Sequence, residues 1–159
     1  MELKVRGIHP DVVRTLLETD DAGRRPVLKV DDEGGSPLRC CLTKARPGER
    51  IALLSYAPLR RWAAETGVDP GAYDEVGPVF VHAEPCEGVR EAGWPEAHTA
   101  HRMLRAYTAQ GTIAGGEYLA KGEDPEVALK ELLEDPGVAV VHVRAVEFGC
   151  FQFEVRRAS

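Results

Sequence analysis

Short runs of strand-forming residues, separated more often by turn sequences than by helices, constrain the fold of this chain most strongly. Near the C-terminus, strands are predicted over 138–145 and 151–157, on either side of the turn sequence Glu147-Phe148-Gly149. An earlier hairpin is predicted over 103–119, where Gly111 supplies the positive φ that a tight turn requires. The other predicted strands are 3–8, 26–30, 38–42, 51–56 and 79–84.

Two helices are predicted to begin at Pro10 and Pro125, because proline is favoured in the first turn of a helix. A shorter helical segment is predicted over 60–66, before Gly67. Hairpins outnumber strand–helix–strand units, so the sequence predicts α+β architecture. We expect a single domain over residues 1–159, with a largely antiparallel, curled sheet and two or three helices.

Charge and hydropathy exclude several classes of partner. The net charge is −6 and the pI is about 5.4, so there is no basic excess to bind nucleic acid or an anionic membrane. No apolar run is long enough to span a bilayer, and residues 1–6 do not resemble a signal peptide. We therefore expect a cytoplasmic protein with reduced thiols. Nothing in the sequence indicates an oligomeric state.

Two histidines lie within apolar strand sequences and are candidates for acid–base catalysis. His82 shares a strand face with Phe80 and Glu84, and His142 shares one with Arg144. Imidazole titrates near neutral pH, which suits proton transfer. We predict that both histidines lie on neighbouring strands and face one pocket. The alternative is that each is a buried structural residue.

The four cysteines have two interpretations. Cys86 follows a predicted strand beside Pro85, where an exposed thiol would be a candidate catalytic nucleophile. Cys40, Cys41 and Cys150 are interpreted as small buried side chains. If 38–42 is a strand that returns beside 26–30, Cys40 and Cys41 point to opposite faces, and we expect no disulfide.

A metal site remains an alternative for some of these residues. His82, Cys86, His142 and Cys150 carry imidazole and thiolate groups that bind zinc or iron. Their spacings match no established zinc motif, and nearby arginines would repel a cation. The prediction is therefore that the site has no metal and no cofactor. His98 and His101, on a predicted short helix over 96–102, are assigned to a solvated face.

Arginines in strand interiors suggest an anion-binding site. Arg105 shares its predicted face with Tyr107, Arg144 shares one with His142, and Arg39 lies in a further predicted strand. Guanidinium groups bind carboxylate or phosphate bidentately, so Arg39, Arg105, Tyr107 and Arg144 are the predicted ligand-binding residues, and the predicted partner is a small anionic molecule. The alternative is that these arginines pair with internal carboxylates: Glu75, Glu84 or Glu147.

A function of another class also fits the sequence. Trp62 lies in a predicted surface segment over 58–71 and Trp94 in a predicted loop, where they would form a contact patch for another protein. The histidines would then be structural. The chain carries no dinucleotide-binding glycine motif, no phosphate-binding loop and no Gly-x-Ser-x-Gly sequence.

Several strings between Pro37 and the C-terminus form a distinctive set: Arg39-Cys40-Cys41-Leu42, Glu75-x-Gly77-Pro78-x-Phe80-Val81-His82-Ala83, Arg105-x-Tyr107, His142-Val143-Arg144 and Gly149-Cys150. This set is similar to the signature of a bacterial family, the domain-of-unknown-function family numbered twelve hundred and three. The chain departs from it at Ala145, where an asparagine is expected. The resemblance implies no activity, but it places Arg39, His82, Arg105, Tyr107, His142 and Arg144 within the family pattern.

Overall fold

Each of the three helices begins with a proline, as the sequence indicates for two of them. The computed structural model describes residues 1–158. The helices are α1 (Pro10–Glu18), α2 (Pro58–Ala64) and α3 (Pro125–Glu134). The strands are β1 (Leu3–Arg6), β2 (Val27–Asp31), β3 (Glu49–Tyr56), β4 (Gly77–His82), β5 (Arg102–Tyr107), β6 (Ile113–Leu119), β7 (Val140–Arg144) and β8 (Phe151–Arg157).

Local capping explains why α1 and α3 start where they do. Asp124 precedes Pro125 and accepts a hydrogen bond from the backbone N–H of Glu126 at 2.9 Å. His9 does the same for α1, since its Nδ1 accepts from the backbone N–H of Asp11 at 3.1 Å. Each cap satisfies an N–H group that has no partner within the helix.

All strand pairs of the two sheets are antiparallel. The five-stranded sheet has the order β1-β8-β7-β5-β6, and the three-stranded sheet has the order β2-β3-β4. The predicted α+β class and the two predicted hairpins, β5–β6 and β7–β8, are therefore confirmed. The strands divide into two sheets, whereas one curled sheet was expected.

Residues 38–42 do not form the predicted strand, and β2 pairs with β3 instead. The backbone N–H of Leu42 donates to the carbonyl of Leu38 at 3.0 Å, and that of Leu38 donates to Thr43 at 2.9 Å. Leu42 has a left-handed φ of 63°. The chain thus reverses within these six residues, which we call the cysteine turn (38–43). The predicted helix over 96–102 is also wrong, because residues 96–101 contain no helix, and His98, which was assigned to its solvated face, is buried.

Both faces of the five-stranded sheet are covered. On one face, Leu104, Val141 and Phe153 pack with Leu129 and Leu133 of α3. On the other face, Tyr107 and Val140 of the sheet pack with Leu59 and Trp62 of α2. This double cover buries β7 along its whole length. Any polar side chain on β7 must therefore find its partners inside the protein.

The predicted tryptophan contact patch is wrong. Trp62 is buried with α2, and Trp94 packs edge-on against Phe153 with ring centroids 5.0 Å apart. The indole N–H of Trp94 donates to the carbonyl of His98 at 2.7 Å. Both side chains thus contribute to the core. Within residues 1–158, no helix has the length and apolar content needed to cross a membrane.

Candidate functional site

The guanidinium groups of Arg105 and Arg144 converge on one carboxylate. Arg105 Nη1 lies 2.8 Å from Glu75 Oε1, and Arg144 Nη2 lies 3.1 Å from Glu75 Oε2. The two arginines come from neighbouring strands, since β5 pairs with β7. We call these three residues the arginine clamp. Of the three internal carboxylates considered from the sequence, Glu75 is the one these arginines bind.

The two arginines of the clamp are held differently. Arg144 is buried, and its Nη1 donates to the carbonyl of Gly149 at 2.6 Å. Its Nε is buried without a hydrogen-bond partner among residues 1–158. Arg105 is more exposed, and its Nη1 lies 3.4 Å from the hydroxyl of Tyr107. Burial opposes the charge of Arg105, but the hydrogen bonds to Tyr107 and Glu75 outweigh burial and raise its pKa.

A cavity of about 180 Å³ lies beside the clamp. Glu75 and Arg144 are its charged lining residues. Its apolar walls are Tyr56, Val79, Phe148 and Phe151. The clamp and the cavity together offer a charged end and a hydrocarbon-lined body, which is the usual composition of a small-molecule site.

His142 lies next to the clamp but lines neither this cavity nor the larger cleft described below. Its ring centroid is 4.9 Å from that of Tyr107 and 5.1 Å from that of Phe151. Burial, followed by the charges of Arg144 and Arg105, lowers its pKa to about 3. The ring is therefore neutral at pH 7. This placement favours the structural alternative for His142.

Arg39 lies apart from the clamp and contacts the backbone. Its Nε donates to the carbonyl of Phe151 at 2.8 Å, and its Nη1 donates to that of Pro37 at 2.7 Å. Burial lowers the pKa of Arg39 to about 10, so it remains charged at pH 7. Its guanidinium holds the start of the cysteine turn against β8. A direct role in ligand binding has no support in these contacts.

A second group of reactive side chains lies at the end of β4. Cys40 Sγ is 4.0 Å from Cys41 Sγ and 3.4 Å from His82 Nδ1, and Cys41 Sγ is 3.8 Å from the same nitrogen. Cys86 completes the group, and the four ligand atoms all lie within 4.8 Å of one another. We call these four residues the Cys–His cluster.

The cysteine turn explains how two adjacent thiols reach one histidine. In a strand they would point to opposite faces, but the reversal of the chain directs both towards His82. The turn lies against the end of β1, where Ile8 N–H donates to the carbonyl of Arg39 at 2.8 Å. Gly7 permits this contact, because a Cβ there would lie 2.7 Å from the same carbonyl oxygen.

Glu49 fixes the orientation of the His82 ring. Its Oε2 lies 3.1 Å from His82 Nε2. Ile51 pairs with His82 across β3–β4, and Glu49 is two residues earlier, so both side chains share one face. A proton on Nε2, donated to Glu49, leaves a lone pair on Nδ1 directed towards the sulfur atoms.

Three residues of the Cys–His cluster, Cys41, His82 and Cys86, form part of the wall of an open cleft of about 790 Å³, whereas Cys40 is buried behind them. The hydrogen bond with Cys40, together with that from Thr43, lowers the pKa of the Cys41 thiol to about 5 despite partial burial. The neighbouring thiol of Cys40 has its pKa raised, by the same hydrogen bond and by burial. One negative charge is thus readily held on this pair of sulfur atoms.

The structure separates the two predicted catalytic histidines. His82 is on β4 of the three-stranded sheet and His142 is on β7 of the five-stranded sheet, so the prediction of neighbouring strands is wrong. The group considered as a possible metal site is also wrong in part, because Cys40 and Cys41 take the places assigned to His142 and Cys150. In the sequence, the only sign that Cys40 and Cys41 belong to this group is that they are adjacent. The predicted strand over 38–42 placed them on opposite faces and so hid the turn that brings them together.

The family comparison covers both groups of residues. The sequence model of one family, described as a protein of unknown function (DUF1203), matches residues 35–157. This range contains the arginine clamp and the Cys–His cluster, whereas β1, α1 and β2 precede it. No curated protein and no solved structure matches the chain. Because the match covers most of the chain, and agrees with the resemblance seen from Pro37 onward, this protein belongs to the DUF1203 family.

Proposed function

We propose that this domain binds a small carboxylate, with its anionic end held by Arg105 and Arg144 and its apolar body in the adjacent cavity. One observation carries the proposal: the two guanidiniums each donate to a different oxygen of the same carboxylate. Their donor atoms therefore have the spacing that a carboxylate requires. Glu75 stands in for the carboxylate of the ligand.

The arginine clamp has a net positive charge that an anion could neutralise. Two arginines meet one glutamate, so one positive charge is in excess. Among residues 1–158, no other carboxylate lies within 4.0 Å of either guanidinium. The unpartnered Nε of Arg144 adds a free buried donor. An uncompensated charge at a largely buried position is costly unless a ligand or solvent neutralises it.

Glu75 is placed where it could be displaced. It lies between the short 3-10 helix Gly71–Tyr73 and β4, in a segment without helix or strand. Its side chain is half exposed, whereas that of Arg144 is only 9% exposed. Few contacts besides the two ion pairs therefore retain Glu75, while the arginines are held by the sheet. An incoming carboxylate competes with Glu75 for a site that is already formed.

The cavity defines the class of ligand. A volume of about 180 Å³ corresponds to roughly six water molecules at about 30 Å³ each. Aromatic and aliphatic walls favour a short hydrocarbon or a single ring over a second charged group. The ligand class is thus a small monocarboxylate, for which butyrate and benzoate are suitable probes. Phosphate, which lacks an apolar body, should bind more weakly.

The proposed role is binding without acid–base chemistry by His142. That imidazole is 1% exposed and lines neither described cavity, so a ligand in the clamp does not reach it. Tyr107 contributes by orienting Arg105 through its hydroxyl. The thiol of Cys86 belongs to the separate Cys–His cluster and has no part in this site.

Replacement of Glu75 by glutamine tests the proposal. Glu75→Gln removes the competing charge but keeps the shape, so affinity for benzoate, measured by calorimetry, should increase about tenfold, equivalent to about 1.4 kcal/mol. Arg105→Gln should abolish benzoate binding. Glu84→Gln is the matched control, since Glu84 pairs with Arg50 outside the clamp. If wild type and Glu75→Gln both fail to bind benzoate and butyrate, and the substitution only lowers stability, the clamp is a structural ion-pair group and the proposal fails.

A further inference from the structure

We propose that the Cys–His cluster binds one zinc ion, with Sγ of Cys40, Cys41 and Cys86 and Nδ1 of His82 as the four ligands. This site is independent of the arginine clamp, whose two arginines lie on the other sheet. The inference depends on the distances between the four groups, on what orients the histidine, and on which parts of the chain the cluster joins.

Three of the six distances between ligand atoms match the edges of a zinc tetrahedron, and the Sγ atom of Cys86 lies within 4.8 Å of the other three atoms. With Zn–S of about 2.3 Å and Zn–N of about 2.0–2.1 Å, tetrahedral geometry places sulfur atoms about 3.8 Å apart and sulfur and nitrogen about 3.6 Å apart. The observed separations are 4.0 Å for Cys40–Cys41, 3.4 Å for Cys40–His82 and 3.8 Å for Cys41–His82. One ion therefore fits between these three atoms if each distance changes by only about 0.2 Å.

The surroundings of the ligands also suit a metal. Histidine ligands usually donate their second ring N–H to a carboxylate, and Glu49 occupies that position 3.1 Å from His82 Nε2. The backbone N–H of His82 donates to Cys40 Sγ at 3.3 Å, which stabilises negative charge on that sulfur. Both contacts would be needed to hold a neutral imidazole and a thiolate in ligating positions.

The type and number of ligands select zinc. Three thiolates and one imidazole form a soft, complete tetrahedral set of the kind found in structural zinc sites. The arginines that argued against a cation in the sequence are engaged elsewhere. Arg39 donates to the carbonyls of Phe151 and Pro37, and Arg105 and Arg144 both pair with Glu75. With all four positions filled by protein, the ion has no position left for substrate.

Such an ion would join three parts of the chain. Two ligands come from the cysteine turn, one from the end of β4, and one from the segment that follows. This segment, residues 83–101, contains no helix or strand and forms much of the wall of the large cleft. Loops longer than about 12–15 residues without regular structure are uncommon in compact domains. Anchoring at Cys86 explains how this one is held in place.

Metal content and cobalt spectroscopy test the site in the 159-residue chain. After purification without chelator or affinity tag, elemental analysis should give one zinc per chain. After removal of zinc, titration with Co²⁺ should give the absorption of a tetrahedral complex with a thiolate-to-cobalt charge-transfer band, saturating at one equivalent. Added zinc should displace the cobalt. A metal-free protein that gives no such spectrum overturns the proposal without requiring any variant.

Substitutions assign the ion to the cluster. Cys86→Ser and His82→Ala should lose zinc or bind it at least tenfold more weakly, whereas Cys150→Ser, outside the cluster, should keep one equivalent. Glu49→Gln should keep the stoichiometry but weaken zinc binding by about 10–100-fold. Mass spectrometry that finds a Cys40–Cys41 disulfide in protein purified under reducing conditions would contradict the assignment. Zinc retained equally by wild type, Cys86→Ser and His82→Ala would do the same.

Discussion

Arg105 lies directly opposite His142 across the antiparallel pair β5–β7, so the guanidinium and the imidazole share one face of the sheet. Neither ring nitrogen of His142 has a hydrogen-bond partner among residues 1–158. Arg144 and Arg156 add further positive charge near the ring, although Glu154 is the direct neighbour of His142 on β8. Protonation of His142 would add a further positive charge at this buried position and is therefore strongly disfavoured.

Because the folded protein keeps His142 unprotonated, the free energy of unfolding should depend on pH. Its pKa falls from about 6.5 in the unfolded chain to about 3 in the folded protein. Between these values the unfolded state binds a proton that the folded state does not, so the free energy of unfolding decreases as pH falls from about 6.5 towards 3. From pH 7 to 4.5 the loss due to His142 should be about 2–3 kcal/mol.

Urea unfolding of wild type and His142→Phe at pH 7 and 4.5 measures this loss. Phenylalanine keeps an aromatic ring beside Tyr107 and Phe151 but cannot titrate. Between pH 7 and 4.5, the free energy of unfolding should decrease by about 2–3 kcal/mol less in His142→Phe than in wild type. Some pH dependence should remain because burial, with Arg102, lowers the pKa of His98 to about 4. Equal decreases in both proteins would show that His142 is not held neutral.

The carboxylate of Asp20 connects the turn after α1 to β3 by hydrogen bonds. Its Oδ1 accepts from the backbone N–H groups of Ala22 and Arg24 at 3.0 and 2.9 Å, and its Oδ2 accepts from that of Ser55 at 3.0 Å. Burial raises the pKa of this carboxyl, but these hydrogen bonds outweigh burial and lower it. The charged form is therefore the one that the fold stabilises.

Asp20→Asn should lower the free energy of unfolding at pH 7 by about 1–3 kcal/mol, because an amide N–H₂ would face at least one backbone donor. Asp32→Asn, in the exposed loop after β2, is the matched control and should change it by less than about 0.5 kcal/mol. The difference between Asp20→Asn and wild type should shrink below pH 4, where the carboxyl protonates in the unfolded chain. A constant difference down to pH 2 would contradict this explanation.

Local signals made most of the fold predictable. Gly111 and the Glu147-Phe148-Gly149 turn determine two hairpins from adjacent residues, and the proline-initiated helices need only their own caps. The cysteine turn was missed because its left-handed residue is Leu42, a residue type that rarely adopts positive φ. Cross-sheet and long-range contacts, such as those joining Cys41 to His82, depend on packing that no local pattern encodes.

The candidate sites were likewise predictable only where local sequence patterns determine them. Strand periodicity correctly placed Arg105 and Tyr107 on one face, and Glu75 was among the internal partners considered. Periodicity does not reveal which sheet a strand joins, so His82 and His142 were assigned to one pocket although they lie on different sheets. Glu49 could not be found from sequence, because its contact with His82 requires the register of β3 on β4.

The buried guanidinium of Arg39 donates hydrogen bonds to backbone carbonyls and does not pair with a carboxylate. It is 4% exposed, and its partners among residues 1–158 are the carbonyls of Phe151 and Pro37, with no carboxylate within 4.0 Å. Its own backbone N–H donates to the carbonyl of Phe80 at 2.8 Å. The residue therefore joins the cysteine turn to β4 through its backbone and to β8 through its side chain.

Arg39→Met should lower the free energy of unfolding at pH 7 by about 2–4 kcal/mol, because one buried and one partly buried carbonyl lose charge-assisted hydrogen bonds worth about 1.5–3 kcal/mol each, while removal of a buried charge offsets part of the loss. Arg39→Lys should fall between wild type and Arg39→Met, since one ammonium matches the two carbonyls less well than the guanidinium. Arg50→Met, at an exposed ion pair, is the control and should cost less than about 1 kcal/mol. If Arg39→Met instead keeps wild-type stability in urea and loses stabilisation by benzoate, Arg39 is a ligand-binding residue, as the sequence suggested, and its structural role is wrong.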